Sequence, residues 1–227
     1  AWPASMVSLL GKDSMIGCAA HRVPRVRNAV IQFLRRPESL QRYMSRVDLI
    51  LQTFIHEHLE GNSKVVLFPL MNKLMFSIAC EVLIGRGDRK DQDMLRHPFD
   101  AMAKGIFLMP INIPGTTYSK ALAAADAIRK QLQVWIDERR RDMAAGFVTG
   151  HEDILSGFLA YTDGHGQPFS DKAIMDNILT LLFAGHDTST SVTTIACKYL
   201  ASNPHIMDEV YRGRFCLWYP TPIILNS

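Results

Sequence analysis

The sequence predicts a mainly α-helical fold, and three observations support that prediction. Apolar side chains recur every three to four residues along most of the 227-residue chain. Clusters of glycine, proline, asparagine and serine separate these periodic segments, as turns do. Only one short stretch, residues 63–69 (SKVVLFP), suggests a strand. Little or no sheet is therefore expected.

The first long helical pattern begins at Pro37 and Glu38, two residues that suit the first turn of a helix. After the strand-like link, residues 70–85 are apolar on nearly every side, which predicts a buried helix. No apolar run is expected to reach the 18 or so residues that cross a bilayer. The sequence therefore predicts no membrane span.

Two further helices are predicted over residues 91–109 and 120–145, on either side of the turn signals in residues 110–118 (PINIPGTTY). The second helix ends in a basic cluster, ERRRD, at residues 138–142. Cations suit the C-terminal end of a helix dipole, so this cluster is interpreted as a solvated helix end. With a formal net charge of only +3, the chain is not expected to bind nucleic acid.

The longest predicted helix runs from Asp171 to Ala201, with Ser170 as its N-cap. Its middle, residues 181–194 (LLFAGHDTSTSVTT), is rich in weak helix formers, which together cost on the order of a few kcal/mol. Disfavoured residues inside a consistent element point to a functional site. The alternative is a seam of small residues that lets helices pack closely.

Four side chains in this stretch carry the functional interpretation. Ala184 and Gly185 lack bulk, so a ligand can approach the backbone. The Thr188 hydroxyl can bond the carbonyl of residue 184, and the neighbouring Asp187 makes a plausible proton relay with it.

The four cysteines predict neither a metal site nor a disulfide framework, because Cys18, Cys80, Cys197 and Cys216 form no CxxC pair. Cys80 and Cys197 are predicted to be buried thiols in a reducing compartment. The chain starts without methionine or a signal peptide, so it is expected to be a fragment of a longer protein.

Residues 184–189 (AGHDTS) resemble the central-helix motif of the cytochromes P450. Residues 33–44 (FLRRPESLQRYM), 110–124 (PINIPGTTYSKALAA) and 169–189 resemble plant members that oxidise steroids, triterpenoids and terpenoid hormones. The resemblance covers residues 1–211, the central part of a P450 domain, whereas residues 212–227 form a divergent tail. It implies a partial P450 fold: a central helical region with the long oxygen-binding helix.

The resemblance also implies a haem cofactor and a role for each matching residue. Thr188 corresponds to the oxygen-side alcohol and Asp187 to its acidic neighbour, while Ala184 and Gly185 lie over the haem face. An arginine of residues 21–28 (HRVPRVRN) pairs with a haem propionate. Two alignments compete there, one using His21 and Arg25 and the other Arg27.

A second implied element is the lid over the substrate. The turn at residues 110–116 and the helix before it resemble that lid. Phe107, Leu108 and Met109 precede the turn and face either the substrate pocket or the core. The core is the favoured interpretation.

By resemblance, the full-length protein is a monooxygenase that hydroxylates a bulky apolar terpenoid or steroid with O2. An NADPH–cytochrome reductase supplies electrons, and the enzyme contacts the cytoplasmic face of the endoplasmic reticulum membrane. The family's iron is held by a cysteine thiolate in a downstream loop that this sequence lacks. Cys216 (GRFCLW) does not fit that loop. The alternatives are a truncated, non-catalytic helical fragment that cannot ligate haem iron, or a helical binding module with an apolar groove.

Overall fold

A computed structural model describes residues 2–218 of the chain, and the side chains of residues 2–213. The predicted mainly α fold is confirmed, and over this part of the chain no strand forms beyond an isolated bridge between Thr162 and Pro168. The helices are α1 (Ala4–Leu10), α2 (Val23–Leu34), α3 (Pro37–His58), α4 (Leu67–Ile84), α5 (Arg89–Ala103), α6 (Thr117–Ala144), α7 (Ile154–Ala160), α8 (Asp171–Ser202) and α9 (Pro204–Trp218).

Side-chain caps explain where several helices begin. The Ser170 hydroxyl accepts a hydrogen bond from the Ala173 N–H at 3.2 Å, so the predicted N-cap of α8 is confirmed. Thr116 caps α6 in the same way, through the Ser119 N–H. These caps satisfy backbone donors that have no acceptor inside the helix.

The strand predicted for residues 63–69 is wrong. Residues 64–66 form an irregular link, and α4 begins at Leu67. Pro69 fits the first turn of α4, where its missing N–H would have had no acceptor. The helix predicted over residues 91–109 also differs, since α5 ends at Ala103.

Helix α4 lies at the centre of the packing, against α8, α3 and α7. Phe76, Cys80 and Ile84 of α4 are buried in one core with Ile178 and Leu182 of α8. By length and composition α4 could cross a membrane, with a mean hydropathy of 1.6 over 18 residues. The prediction that no run reaches that length is therefore wrong. Helix α4 packs between α3 and α8, and 39% of its 18 residues are buried among the described residues.

The basic cluster at the end of α6 is only partly a solvated helix end. Arg140 and Arg141 are exposed, but Arg139 is buried and its Nη1 donates to Asp153 and Ser156. Its Nη2 donates to the Ile84 carbonyl oxygen at 3.0 Å. This buried ion pair joins α6, α7 and the C-terminal end of α4.

The two cysteines predicted to be buried differ from each other. Cys80 is fully buried, and burial raises the pKa of its thiol to about 12, so it stays protonated. Cys197 is only partly buried, because the C-terminal half of α8 has few neighbours in the described chain. Cys216 lies outside the residues whose side chains are described.

Candidate active site on helix α8

The N-terminal half of α8 is held in place by buried polar side chains. Asp176 is 1% exposed and accepts a hydrogen bond from Arg129 Nε at 2.9 Å. Arg129 Nη2 also donates to the Leu9 carbonyl oxygen, at 2.7 Å. Asn177 Oδ1 accepts from the Met15 N–H at 2.8 Å. These contacts fix α8 relative to α1, α6 and the loop after α1.

The hydroxyl groups in the middle of α8 bond to the helix itself. Thr188 Oγ1 donates to the Ala184 carbonyl oxygen at 2.6 Å, as the sequence suggested. In the same way, Thr190 Oγ1 donates to the His186 carbonyl oxygen at 2.8 Å, and Thr194 Oγ1 donates to the Thr190 carbonyl oxygen at 2.7 Å. Each hydroxyl oxygen keeps lone pairs that can accept another hydrogen bond.

The four predicted site residues share one open face of α8. Ala184, Gly185, Asp187 and Thr188 are all exposed, and a Cβ added at Gly185 would meet nothing within 4 Å. The close-packing alternative requires a neighbouring helix against these small residues. No helix of the described chain covers this face.

The same side of α8 carries large apolar side chains in solvent. Val192 is 67% exposed, Ile195 66% and Tyr199 56%. Nearer the start of α8, Ile174 and Ile178 are buried. In its C-terminal half the helix instead exposes an apolar surface of the kind that marks a binding face.

The opposite side of α8 buries a histidine that the sequence analysis did not single out. His186 is 2% exposed. The rings of Phe76 and Phe99 lie at near-right angles to its ring, with centroids 5.6 and 5.3 Å away. Its Nε2 lies 3.1 Å from the Asn72 carbonyl oxygen, and its Nδ1 lies 3.0 Å from Asp187 Oδ1.

Burial is the main influence on this ring and lowers the pKa of His186 below 6.5. The Asp187 carboxylate raises this pKa, and Arg96 lowers it further. The Asn72 carbonyl and Asp100 raise it more weakly. Burial therefore favours the neutral form of the ring. Nδ1 lies 3.0 Å from Asp187 Oδ1 but makes no hydrogen bond with it or with any other described residue.

The two candidate propionate arginines differ in their environment. Arg25 Nη2 donates to the carbonyl oxygens of Gln167 and Pro168 at 2.6 and 2.9 Å, and the guanidinium lies 4.6 Å from the centre of the Phe169 ring. Arg27 is exposed, and no hydrogen bond or ion pair to another described residue holds it. His21 lies in a short 3-10 turn before α2 and is also exposed.

The favoured core placement of the lid residues is wrong. Phe107 is 76% exposed, Leu108 41% and Met109 75%. They follow the end of α5, where the chain leaves the helix bundle and enters the turn at residues 110–116. None of the three contributes to the described core.

Comparison with known proteins decides the family. The family model of cytochrome P450 matches residues 11–213. The chain belongs to the cytochrome P450 family. The resemblance of AGHDTS to the P450 central helix is thus confirmed, and with it the haem cofactor of the family.

Two plant P450 enzymes are similar to this chain in sequence. Beta-amyrin 28-monooxygenase of Medicago truncatula is 35% identical over 211 residues, which are 93% of this chain and 44% of the relative. Taxane 13-alpha-hydroxylase of Taxus cuspidata is 32% identical over 214 residues, or 94% of this chain and 44% of the relative. The chain therefore spans less than half the length of these P450 relatives.

Solved P450 structures share the fold. Retinoic acid bound cyanobacterial CYP120A1 aligns with a TM-score of 0.83 and 27% identity, covering 93% of this chain and 47% of that one. The heme domain of cytochrome P450DA aligns with a TM-score of 0.75 at 18% identity, which shows the fold alone. The helices described above thus form part of a P450 fold.

The exposed face of α8 fits a flat, largely apolar group such as haem. Gly185 leaves open space above the backbone, and Val192 and Ile195 continue the face as an apolar surface. Asp187 and Thr188 place polar atoms at one point of that surface.

Proposed function

We propose that the full-length protein is a haem-dependent monooxygenase that hydroxylates a bulky apolar terpenoid, such as a triterpenoid. The observation that carries this proposal is the open face formed by Ala184, Gly185, Asp187 and Thr188 on the long central helix. The similarity of this chain to beta-amyrin 28-monooxygenase and taxane 13-alpha-hydroxylase supports the substrate class.

Bound haem would supply the activation of O2 for insertion of one oxygen atom into a C–H bond. The residues of this chain would transfer the protons that the reaction needs. The Asp187 side chain is 52% exposed, so it can take a proton from water. The Thr188 hydroxyl donates its one hydrogen to the Ala184 carbonyl, and its lone pairs are free to accept. To relay a proton, the hydroxyl would break that bond, give up its own hydrogen on one side and take a new one on the other.

Arg27 is the arginine that we assign to a haem propionate. Arg25 already satisfies the carbonyl groups of the turn before α8 and stacks on Phe169. Arg27 is exposed on the other side of α2 from the buried Val26 and Phe33, so its guanidinium is available to a carboxylate. We assign no separate role to His21.

The remaining elements of the proposal concern the whole enzyme. Electrons would come from an NADPH–cytochrome reductase, and the full-length protein would work at the cytoplasmic face of the endoplasmic reticulum membrane. Phe107, Leu108 and Met109, exposed beside the turn at residues 110–116, would face the apolar substrate as part of its lid.

A chimera tests the proposed activity. Residues 1–211 would replace the matching segment of the Medicago truncatula beta-amyrin 28-monooxygenase, which supplies the cysteine loop. With a plant reductase, NADPH and beta-amyrin, we expect a hydroxylated triterpenoid, detected by mass spectrometry.

The 227-residue chain by itself is the matched control and should give no product. A chimera that folds and carries haem yet oxidises neither beta-amyrin nor a taxane would contradict the proposed substrate class. Product from the isolated chain would contradict the need for a separate cysteine loop.

A further inference from the structure

A small cavity lies between the C-terminal half of α3, the helix α4 and the start of α5. Its volume is about 250 Å³. Leu49, Ile50 and Phe54 of α3 form its apolar wall, and Phe54 is part of a small core with Met71 and Leu74 of α4. None of the lining residues belongs to α8 or to the lid, so this cavity is separate from the candidate active site.

Lys73 of α4 brings a positive charge to the cavity and is held in position there. A lysine ammonium only donates hydrogen bonds, so the 2.9 Å contact between Lys73 Nζ and His58 Nε2 is a bond from the lysine to the ring. The His58 ring is in turn stacked on Phe54, with centroids 4.6 Å apart. No carboxylate of the described chain forms an ion pair with Lys73. The ammonium therefore keeps its charge and further N–H donors for another partner.

The other polar groups at the cavity also offer hydrogen-bond donors. Ser77 Oγ accepts from Gln92 Nε2 at 2.8 Å, and the Ser77 hydrogen has no acceptor among the described residues. Arg89 donates to Glu57 through Nη2 alone. Glu57 also lines the cavity, and this ion pair offsets its charge. The cavity is thus left with a positive charge, supplied by Lys73.

A second cavity, of about 440 Å³, adjoins the first at Lys73, Arg89 and Gln92, which line both. Asp93 and Arg96 of α5 also line the second cavity, with one charge of each sign. A ligand whose charged group meets Lys73 therefore has open space on either side.

We propose that the first cavity binds a small amphipathic carboxylate, with its charged end on Lys73 and Ser77 and its apolar body against Ile50 and Phe54. A cation held beside an apolar wall suits such a ligand, because the charge-assisted hydrogen bond offsets the cost of removing the carboxylate from water. Sites for drug-sized ligands have volumes of about 300–1,000 Å³, so the ligand of this smaller cavity is small. The site does not depend on the proposed monooxygenase function.

Equilibrium dialysis of octanoate against the 227-residue chain tests the site. We expect saturable binding of one octanoate per chain. 1-Octanol has the same apolar body without the charge, and inorganic phosphate has the charge without the apolar body, so each should bind at least roughly tenfold more weakly. Phosphate or octanol binding as tight as that of octanoate would contradict the amphipathic class. Octanoate uptake that does not saturate would overturn the site itself.

Lys73→Met removes the cation and keeps most of the length of the side chain. It should weaken octanoate binding roughly tenfold. His58→Phe keeps the stacking on Phe54 but removes the acceptor that holds Lys73, and it should weaken binding by a smaller factor. Unchanged binding in His58→Phe would contradict the positioning of Lys73 by the ring.

Lys130→Met is the matched control, because Lys130 is exposed on α6 and lines neither cavity. It should bind octanoate as the wild type does. Wild-type octanoate binding in Lys73→Met, or an equal loss in Lys130→Met, would overturn the proposal.

Discussion

Replacing Arg139 with methionine should lower the free energy of unfolding by about 3–5 kcal/mol, because it leaves a buried charge without its partner. Asp153 is 1% exposed and caps α7 through the Ser156 N–H at 2.7 Å. Arg139 supplies its counter-charge and also satisfies the Ile84 carbonyl. Urea unfolding of the chain, followed by circular dichroism, measures the loss.

Arg140→Met is the matched control for this substitution. Arg140 is the next residue of the same cluster, but its side chain is 45% exposed and pairs with Asp171 at the surface. An exposed pair contributes at most about 1 kcal/mol. Equal losses in the two variants would show that the Arg139–Asp153 pair does not hold α6 to α7.

Replacing Thr188 with alanine should separate oxygen consumption from product formation in the chimera. The hydroxyl that relays protons is removed, while the helix is kept or slightly stabilised, because alanine is the better helix former. We expect product per NADPH to fall roughly tenfold and peroxide to rise, since catalysis here depends on a positioned proton donor. Asp187→Asn should slow turnover with a smaller loss of product per NADPH.

Ser191→Ala controls for loss of a hydroxyl on the same exposed side of α8. It should leave the product yield per NADPH unchanged and the melting temperature unchanged or slightly higher, because alanine is the better helix former. If Thr188→Ala alters the melting temperature alone and product per NADPH stays level, Thr188 is a structural residue.

The sequence was most informative where local chemistry decides the structure. Ser170 caps α8 because a short side-chain oxygen can reach the Ala173 N–H, a property of four consecutive residues. The Thr188 bond to the Ala184 carbonyl is equally local. Residues 63–69 failed as a strand because the β-branched Val65 and Val66 are followed at once by the helical apolar pattern of α4, which packs against α8.

Contacts between distant segments could not be read from the sequence. The pairing of Arg139 with Asp153 depends on where α7 packs against α6. The choice between Arg25 and Arg27 depends on where the turn before α8 lies. The exposure of Phe107 follows from the position of the loop after α5, which periodicity does not specify.

His186 was missed although a signal was present. It occupies the variable position of the AGHDTS motif, so the motif gave it no role. Leu182, His186 and Thr190 are spaced four residues apart, and all three are buried. That spacing continues the buried stripe of α8 and could have placed the histidine against the core.

The haem content of a Gly185→Leu chimera tests most directly whether the open face of α8 is the haem face. A Cβ at Gly185 meets nothing within 4 Å in this chain, and leucine is the better helix former, so the helix itself should tolerate the change. Gly164→Leu, at an exposed turn glycine with open space around it, is the control. We expect Gly185→Leu to lose bound haem, measured by its Soret absorbance per folded protein, while Gly164→Leu keeps it. Full haem content in Gly185→Leu would contradict the assignment of this face.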